Sequence, residues 1–173
     1  MRHMIVLALV GCASNGSTGF EIDGTVQGTG APAASKVVMV WDKVDTAYKW
    51  GDGTGSASSF TVTLADDPPT AAQVGTSGLA VGFPVLIDAS VTVADGPTDL
   101  SFQRLGIATD YAIIWKDALG SGAGLSWESA FGARYSCARC VRQTTGHDTF
   151  ELTPCANMTI TIGAANTDVC NWD

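Results

Sequence analysis

The sequence predicts an all-β fold, and three observations carry that prediction. Glycine supplies 20 of the 173 residues and Lys and Arg together only 9, a composition poor in the long charged side chains that line solvent-facing helix stripes. Short apolar runs alternate with polar residues at the two-residue period of a half-buried strand. Clusters of Gly, Pro, Asp and Ser punctuate those runs at turn spacing. A single antiparallel β-sandwich of two packed sheets satisfies all three, and the length suits one domain rather than two.

The first element, residues 1–11, reads as a leader. Met1-Arg2-His3 is a minimal positive region, and Met4 to Val10 is an apolar stretch too short for a bilayer span of about 20 residues. It ends in Leu9-Val10-Gly11-Cys12, which resembles the lipobox of bacterial lipoproteins. The resemblance implies cleavage before Cys12, a diacylglyceryl thioether on its sulfur and a fatty acid such as palmitate on the new amine. Only a thiolate is nucleophilic enough to form that thioether. Residues 12–19 then comprise the lipidated cysteine and a flexible tether, since Ala13-Ser14-Asn15-Gly16-Ser17-Thr18-Gly19 offers nothing to pack. The competing reading makes Ile5 to Val10 a buried first strand and Cys12 a core thiol. By the same resemblance, Ala13 rather than Asp after the cysteine favours the outer membrane over the inner.

The folded domain is expected over residues 20–173. Phe20, Ile22 and Val26 mark a first strand with partial alternation, and Lys36 to Trp41 is a continuous apolar run of strand length. The Gly51-Asp52-Gly53-Thr54-Gly55 run reads as a hairpin loop. Ser59-Phe60-Thr61-Val62-Thr63-Leu64 alternates cleanly, placing Phe60, Val62 and Leu64 on one face. Asp66-Asp67-Pro68-Pro69 breaks the chain, and Pro69 to Val74 offers a short helical turn. Strands follow at Leu79 to Ile87, Tyr111 to Trp115, Phe131 to Val141, Thr149 to Leu152 and Met158 to Ile162, about eight in all.

Gly24-Thr25-Val26, Gly30-Ala31-Pro32, Lys36 to Val40 and Ser59 to Leu64 together resemble the opening of carboxypeptidase-regulatory-like, transthyretin-like β-sandwich domains. There a Gly-x-Val strand, a Gly-x-Pro turn, a Val-rich strand and a Phe-x-Val-x-Leu strand follow one another. The match covers roughly residues 22 to 64 and implies an Ig-like or transthyretin-like sandwich with an adhesive or structural accessory role.

Of the five cysteines, Cys12 goes to lipid, leaving Cys137, Cys140, Cys155 and Cys170 to staple the carboxy-terminal quarter of the chain. Three connectivities are possible. Thr144 to Asp148 reads as a hairpin turn; centred on Gly146, it brings Cys137 opposite Cys155, which leaves Cys140 for Cys170. Two other readings compete. A redox Cys137-Ala138-Arg139-Cys140 pair would need a helix N-terminus, whereas its flanks look extended. A zinc site would need a second close pair, and Cys155 and Cys170 are far apart.

Chemistry is sparse. His147, in the predicted turn, is the one imidazole after the leader, and no Gly-x-Ser-x-Gly elbow supplies it a nucleophile. Asp66 and Asp67 read as loop punctuation, with a carboxylate pair for glycoside hydrolysis as the alternative. The glycine run lacks the further carboxylates of a calcium loop and the Gly-Lys-Ser/Thr of a phosphate loop. No cofactor or metal is implied. Trp41 and Trp115 end apolar runs and read as core; Trp50, beside Tyr48 and the glycine run, and Trp127, after Gly120 to Gly124, are candidates to stack on a sugar or a partner protein.

Charge narrows the partners. The nine basic side chains, less Arg2 of the leader, face 17 acidic ones. Nucleic acid and anionic lipid surfaces would repel such a chain, so membrane attachment has to come through the lipid anchor. The expectation is an envelope lipoprotein with a non-catalytic structural or binding role toward a protein or glycan. A carboxylate-based hydrolase, or a thiol-disulfide protein using Cys137 and Cys140, is the alternative.

Overall fold

A computed structural model describes residues 19–43, 46–73, 78–100, 104–116, 135–146, 148–164 and Cys170. Leader residues 1–11, Cys12, most of the tether, Phe131 to Arg134, Trp127, His147 and Trp172 lie outside the described residues. Among the described residues eleven strands run β1 (Phe20–Gln27), β2 (Ser35–Lys43), β3 (Thr46–Gly55), β4 (Ser59–Leu64), β5 (Leu79–Asp88), β6 (Gly96–Pro97), β7 (Arg104–Ile107), β8 (Tyr111–Lys116), β9 (Tyr135–Val141), β10 (Thr149–Thr153) and β11 (Met158–Ile162). The expected helical turn is there as a single 3-10 turn, Thr70–Ala72.

The all-β expectation holds, but the sheet closes. Seven strands form a ring, β5-β2-β3-β4-β1-β11-β7, because β7 pairs with both β11 and β5. A barrel therefore stands where a two-sheet sandwich was expected. Nor is the sheet purely antiparallel, since β1 pairs with β11 in parallel register, Gly24 opposite Met158.

Closure depends on a fork at β5. One edge of β5 pairs with β2 from Val81 to Asp88, while the other serves two strands: Leu79 to Gly82 pairs with β8, and Val85 to Ile87 with β7. The chain carries three extra residues between those two pairings, and Pro84, which has no N–H to give a ladder, sits opposite the excursion. Its carbonyl still accepts the Ala108 N–H at 3.3 Å. From this kink β7 turns to β11 and closes the barrel, while β8 continues to β9 and β10 as a three-strand extension.

Ring strands contribute alternate residues to one core. Ile22, Val37, Met39, Trp41, Phe60, Val62, Leu64, Leu86, Met158 and Ile160 form a buried cluster that continues into Ile113, Trp115 and Tyr135 of the extension. Phe60, Val62 and Leu64 share the buried face, as their alternation predicts. The other face of β5, with Val81, Phe83, Val85 and Ile87, packs on a second cluster that includes Ile107, Ile114 and Leu100. Buried on both faces, β5 needs an unbroken apolar run, which its sequence supplies.

Two local readings require correction. The glycine run is no hairpin loop: it is the second half of β3, paired with β2 and β4. Its glycines leave room for Leu64, Val62 and Leu86, which crowd the places their side chains would take. The β9–β10 register differs too, since Cys137 faces Thr153 rather than Cys155. The bridges nonetheless join Cys137 to Cys155 and Cys140 to Cys170, with Cα atoms 5.1 and 5.9 Å apart. Cys155 reaches its partner from just past the strand end, a two-residue offset that a disulfide's reach tolerates. The two cysteines of the C-x-x-C motif thus go to separate bridges, which leaves neither the local redox pair nor a zinc set.

Candidate functional site

A second fork, in β3, opens a cavity with polar lining in the barrel wall. On the edge away from β2, residues Gly53 to Gly55 pair with β4 and residues Tyr48 and Lys49 pair with β6. Trp50, Gly51 and Asp52 lie between, where β4 and β6 diverge. A cleft of about 300 Å³ opens there, floored by these three residues and walled by Thr63 to Asp66 at the end of β4 and by Asp95 just before β6.

A bulge sets the floor. Val38 pairs with Asp52 and Val40 with Lys49, so Met39 faces two residues, Trp50 and Gly51. The extra residue is accommodated by Gly51 at φ 110°, a conformation that L side chains rarely adopt. Trp41 then fixes the bulge from inside, its indole Nε1–H donating to the Trp50 carbonyl at 2.8 Å. Trp50 itself is half-buried, packed on the barrel core and lining the cleft.

Lys49 stitches the fork. Its ammonium lies 2.6 Å from Asp52 Oδ2 and 2.6 Å from Asp95 Oδ1, joining β3 to the segment that enters β6. The lysine side chain is only 3 % exposed, while the two carboxylates are 64 % and 52 % exposed. Burial pulls its pKa down, but the hydrogen bonds and charges of Asp52 and Asp95 outweigh burial and raise it above the ordinary 10.5. A raised lysine stabilises the fold fully below its unfolded value and loses that contribution as pH rises through the folded one. Lys49→Met is therefore expected to lower stability by a constant amount from neutral pH to about pH 10, with the gap to wild type closing at higher pH. Denaturant unfolding across that range measures it; a gap that persists undiminished in strong alkali would refute the ion-pair account.

Sequence reasoning singled out Trp50 and Asp66 separately, and the structure brings both to this cleft. It does not bring Asp67, whose Oδ1 accepts the Trp115 indole N–H at 2.9 Å. The Asp66 carbonyl also has a structural task, accepting the Tyr135 hydroxyl at 2.7 Å. Lys49 and Asp95 were missed, and Asp52 was weighed only within the glycine run and set aside as part of a hairpin loop. The period-2 pattern of Tyr48 and Trp50 flanking Lys49 was the available signal, and the glycines that follow obscured it.

The cleft therefore presents an indole, three carboxylate-bearing residues and a threonine. Carboxylates accept hydrogen bonds from hydroxyls, and an indole face covers the apolar side of a ring. Hydrolysis would have to draw on carboxylates two of which already serve Lys49. Among the described residues, the one trio with metal-ligand spacing is Cys140, Asp148 and Cys170, whose sulfurs are spent in a disulfide. No protein-family model, curated protein or solved structure matches the chain.

Proposed function

We propose that this chain is a lipid-anchored protein of a bacterial cell envelope, tethered through Cys12, whose barrel binds a glycan at the Trp50 cleft without acting on it chemically. The observation that carries the binding role is the cleft itself, whose lining sets Trp50 beside the hydrogen-bond acceptors of Asp52, Asp66 and Asp95 on a bulged strand floor. Sugars are recognised by that combination, because a pyranose ring has apolar C–H faces and a rim of hydroxyl donors. Residence outside the cytosol draws support from the two disulfides, which persist in oxidising compartments. They also leave Cys12 as the odd cysteine of five, the one available for lipid. Attachment at the outer membrane follows from Ala13 by the lipoprotein resemblance.

One experiment with two arms tests the reading. Whole cells expressing wild type, Cys12→Ala or Trp50→Ala are labelled with a fatty-acid analogue, and the purified proteins are applied to an array of peptidoglycan fragments, lipopolysaccharide cores and capsular polysaccharides. Cys12→Ala is expected to lose the label and keep glycan binding. Trp50→Ala is expected to keep the label and weaken binding by roughly tenfold or more, the worth of a lost stacking face. Label on Cys12→Ala would remove the anchor, and undiminished binding by Trp50→Ala would remove the cleft.

A further inference from the structure

The two disulfides occupy opposite chemical environments. Both residues of Cys140–Cys170 are buried, at 7 % and 4 % exposure, and a carboxylate oxygen of Asp148 lies 3.7 Å from the Cys140 sulfur. That carboxylate, partly offset by its ion pair with Arg142, still places negative charge beside the sulfur and disfavours a departing thiolate, while burial of both cysteines hinders an approaching one. Asp148 is held in place, accepting from Arg142 Nη1 at 3.0 Å and from the Gln143 N–H at 2.9 Å.

Cys137–Cys155 differs in the exposure of one partner and in the absence of a neighbouring carboxylate among the described residues. Cys137 is buried, but Cys155 is half-exposed, and both line an apolar pocket of about 460 Å³ formed by residues 135–137 of β9 and the segment 152–155. No carboxylate lines that pocket among the described residues. The bridge joins β9, in the extension, to the turn that precedes β11 of the barrel, where the Cys155 carbonyl accepts the Asp23 N–H of β1 at 3.2 Å.

The geometry points to Cys137–Cys155 as a site of thiol–disulfide exchange, reducible while Cys140–Cys170 stays closed. A thiolate entering the pocket attacks the Cys155 sulfur, forming a new S–S bond as the bond to Cys137 breaks. Cys137 leaves as a thiolate and takes a proton from water. If the attacker is a dithiol, its second thiolate attacks its own sulfur in the mixed disulfide and releases Cys155, which is protonated in turn. Two electrons and two protons reach the bridge, and the dithiol leaves as a disulfide. A monothiol stops at the adduct on Cys155 until a second thiol arrives. Reduction cuts the link between β9 and the barrel turn while the strand ladders remain.

The test treats the folded full-length chain with graded reduced glutathione in one arm and dithiothreitol in the other. Each arm is quenched with N-ethylmaleimide and mapped as non-reduced peptides. Cys137 and Cys155 are expected to be labelled, and glutathione to be found on Cys155, at thiol concentrations at least about tenfold below those that open Cys140–Cys170. Adduct in the glutathione arm alone identifies a small thiol as the competent attacker, and reduction in the dithiol arm alone identifies a dithiol. Asp148→Asn is expected to narrow the difference between the bridges. Opening of Cys140–Cys170 first, or of both bridges together, overturns the inference, as does resistance of Cys137–Cys155 in both arms.

Discussion

Gly24→Val is expected to cost about 3 kcal/mol of folding free energy or more, the upper range for overpacking a tight interior. Gly24 lies where β1 is pinned on both sides, opposite Phe60 on β4 and Met158 on β11. A Cβ there would lie 2.5 Å from Phe60 Cε1 and overlap the Met158 carbonyl oxygen. A flexible side chain could swing away from such a contact, but the carbonyl belongs to the parallel β1–β11 pair. Relief therefore means moving β11, one of the strands that completes the ring. Thr25→Val, one residue on and exposed, is the control, expected within about 0.5 kcal/mol of wild type. Denaturant midpoints decide it: equal midpoints for the two variants would mean that β1 and β11 are not held as closely as described.

The same closure marks the limit of what the sequence discloses. Ser59 to Leu64 is legible because each residue's face follows from simple alternation, and the buried face holds. Leu79 to Ile87 is legible as a strand, yet nothing in its composition announces that one edge serves two partners. Pro84 is the trace of that fork, and in isolation a proline in an apolar run argues only against a central strand. The Gly51 to Gly55 segment shows the opposite failure. Glycine there is selected by crowding from Leu64, Val62 and Leu86, side chains distant in sequence, so a local reading takes it for a turn. With β3 missed, the sheet could not be seen to close, and a sandwich was the natural inference.

The candidate site was half legible for the same reason. Trp50 and Asp66 stand out by residue type, but the cleft exists because β4 and β6 part at β3. Lys49 illustrates the gap well. Nothing local marks it for burial, and it is buried because two acidic residues, one 46 positions away, converge on its ammonium. The cysteine pairing came out right with a register that was not, because a disulfide's Cα separation accepts neighbours just off the facing position.

Trp41 is where the barrel core and the cleft meet, and substitutions there should separate its two contributions. Its ring is fully buried, lies against Gly82 across the β2–β5 pair and tilts toward Tyr135 with centroids 6.4 Å apart. Trp41→Ala removes this packing and is expected to cost about 4 kcal/mol, within the range for deleting a large buried aromatic. Trp41→Phe keeps most of the apolar surface but deletes the Nε1–H that the Trp50 carbonyl accepts at 2.8 Å. Its expected cost is about 1–2 kcal/mol, that of leaving a partly buried acceptor without its donor. The telling measurement is local. Amide exchange in Trp41→Phe should accelerate at Trp50, Gly51 and Asp52, where the bulge loses its internal support, and stay unchanged in β1 and β4, which do not depend on that bond. If exchange rises uniformly, Trp41 contributes bulk alone, and the cleft floor is held by the β2–β3 ladder and the Gly51 conformation. If it rises only at the bulge, a core side chain sets the position of the surface aromatic, and the shape of the binding cleft is fixed from inside the barrel.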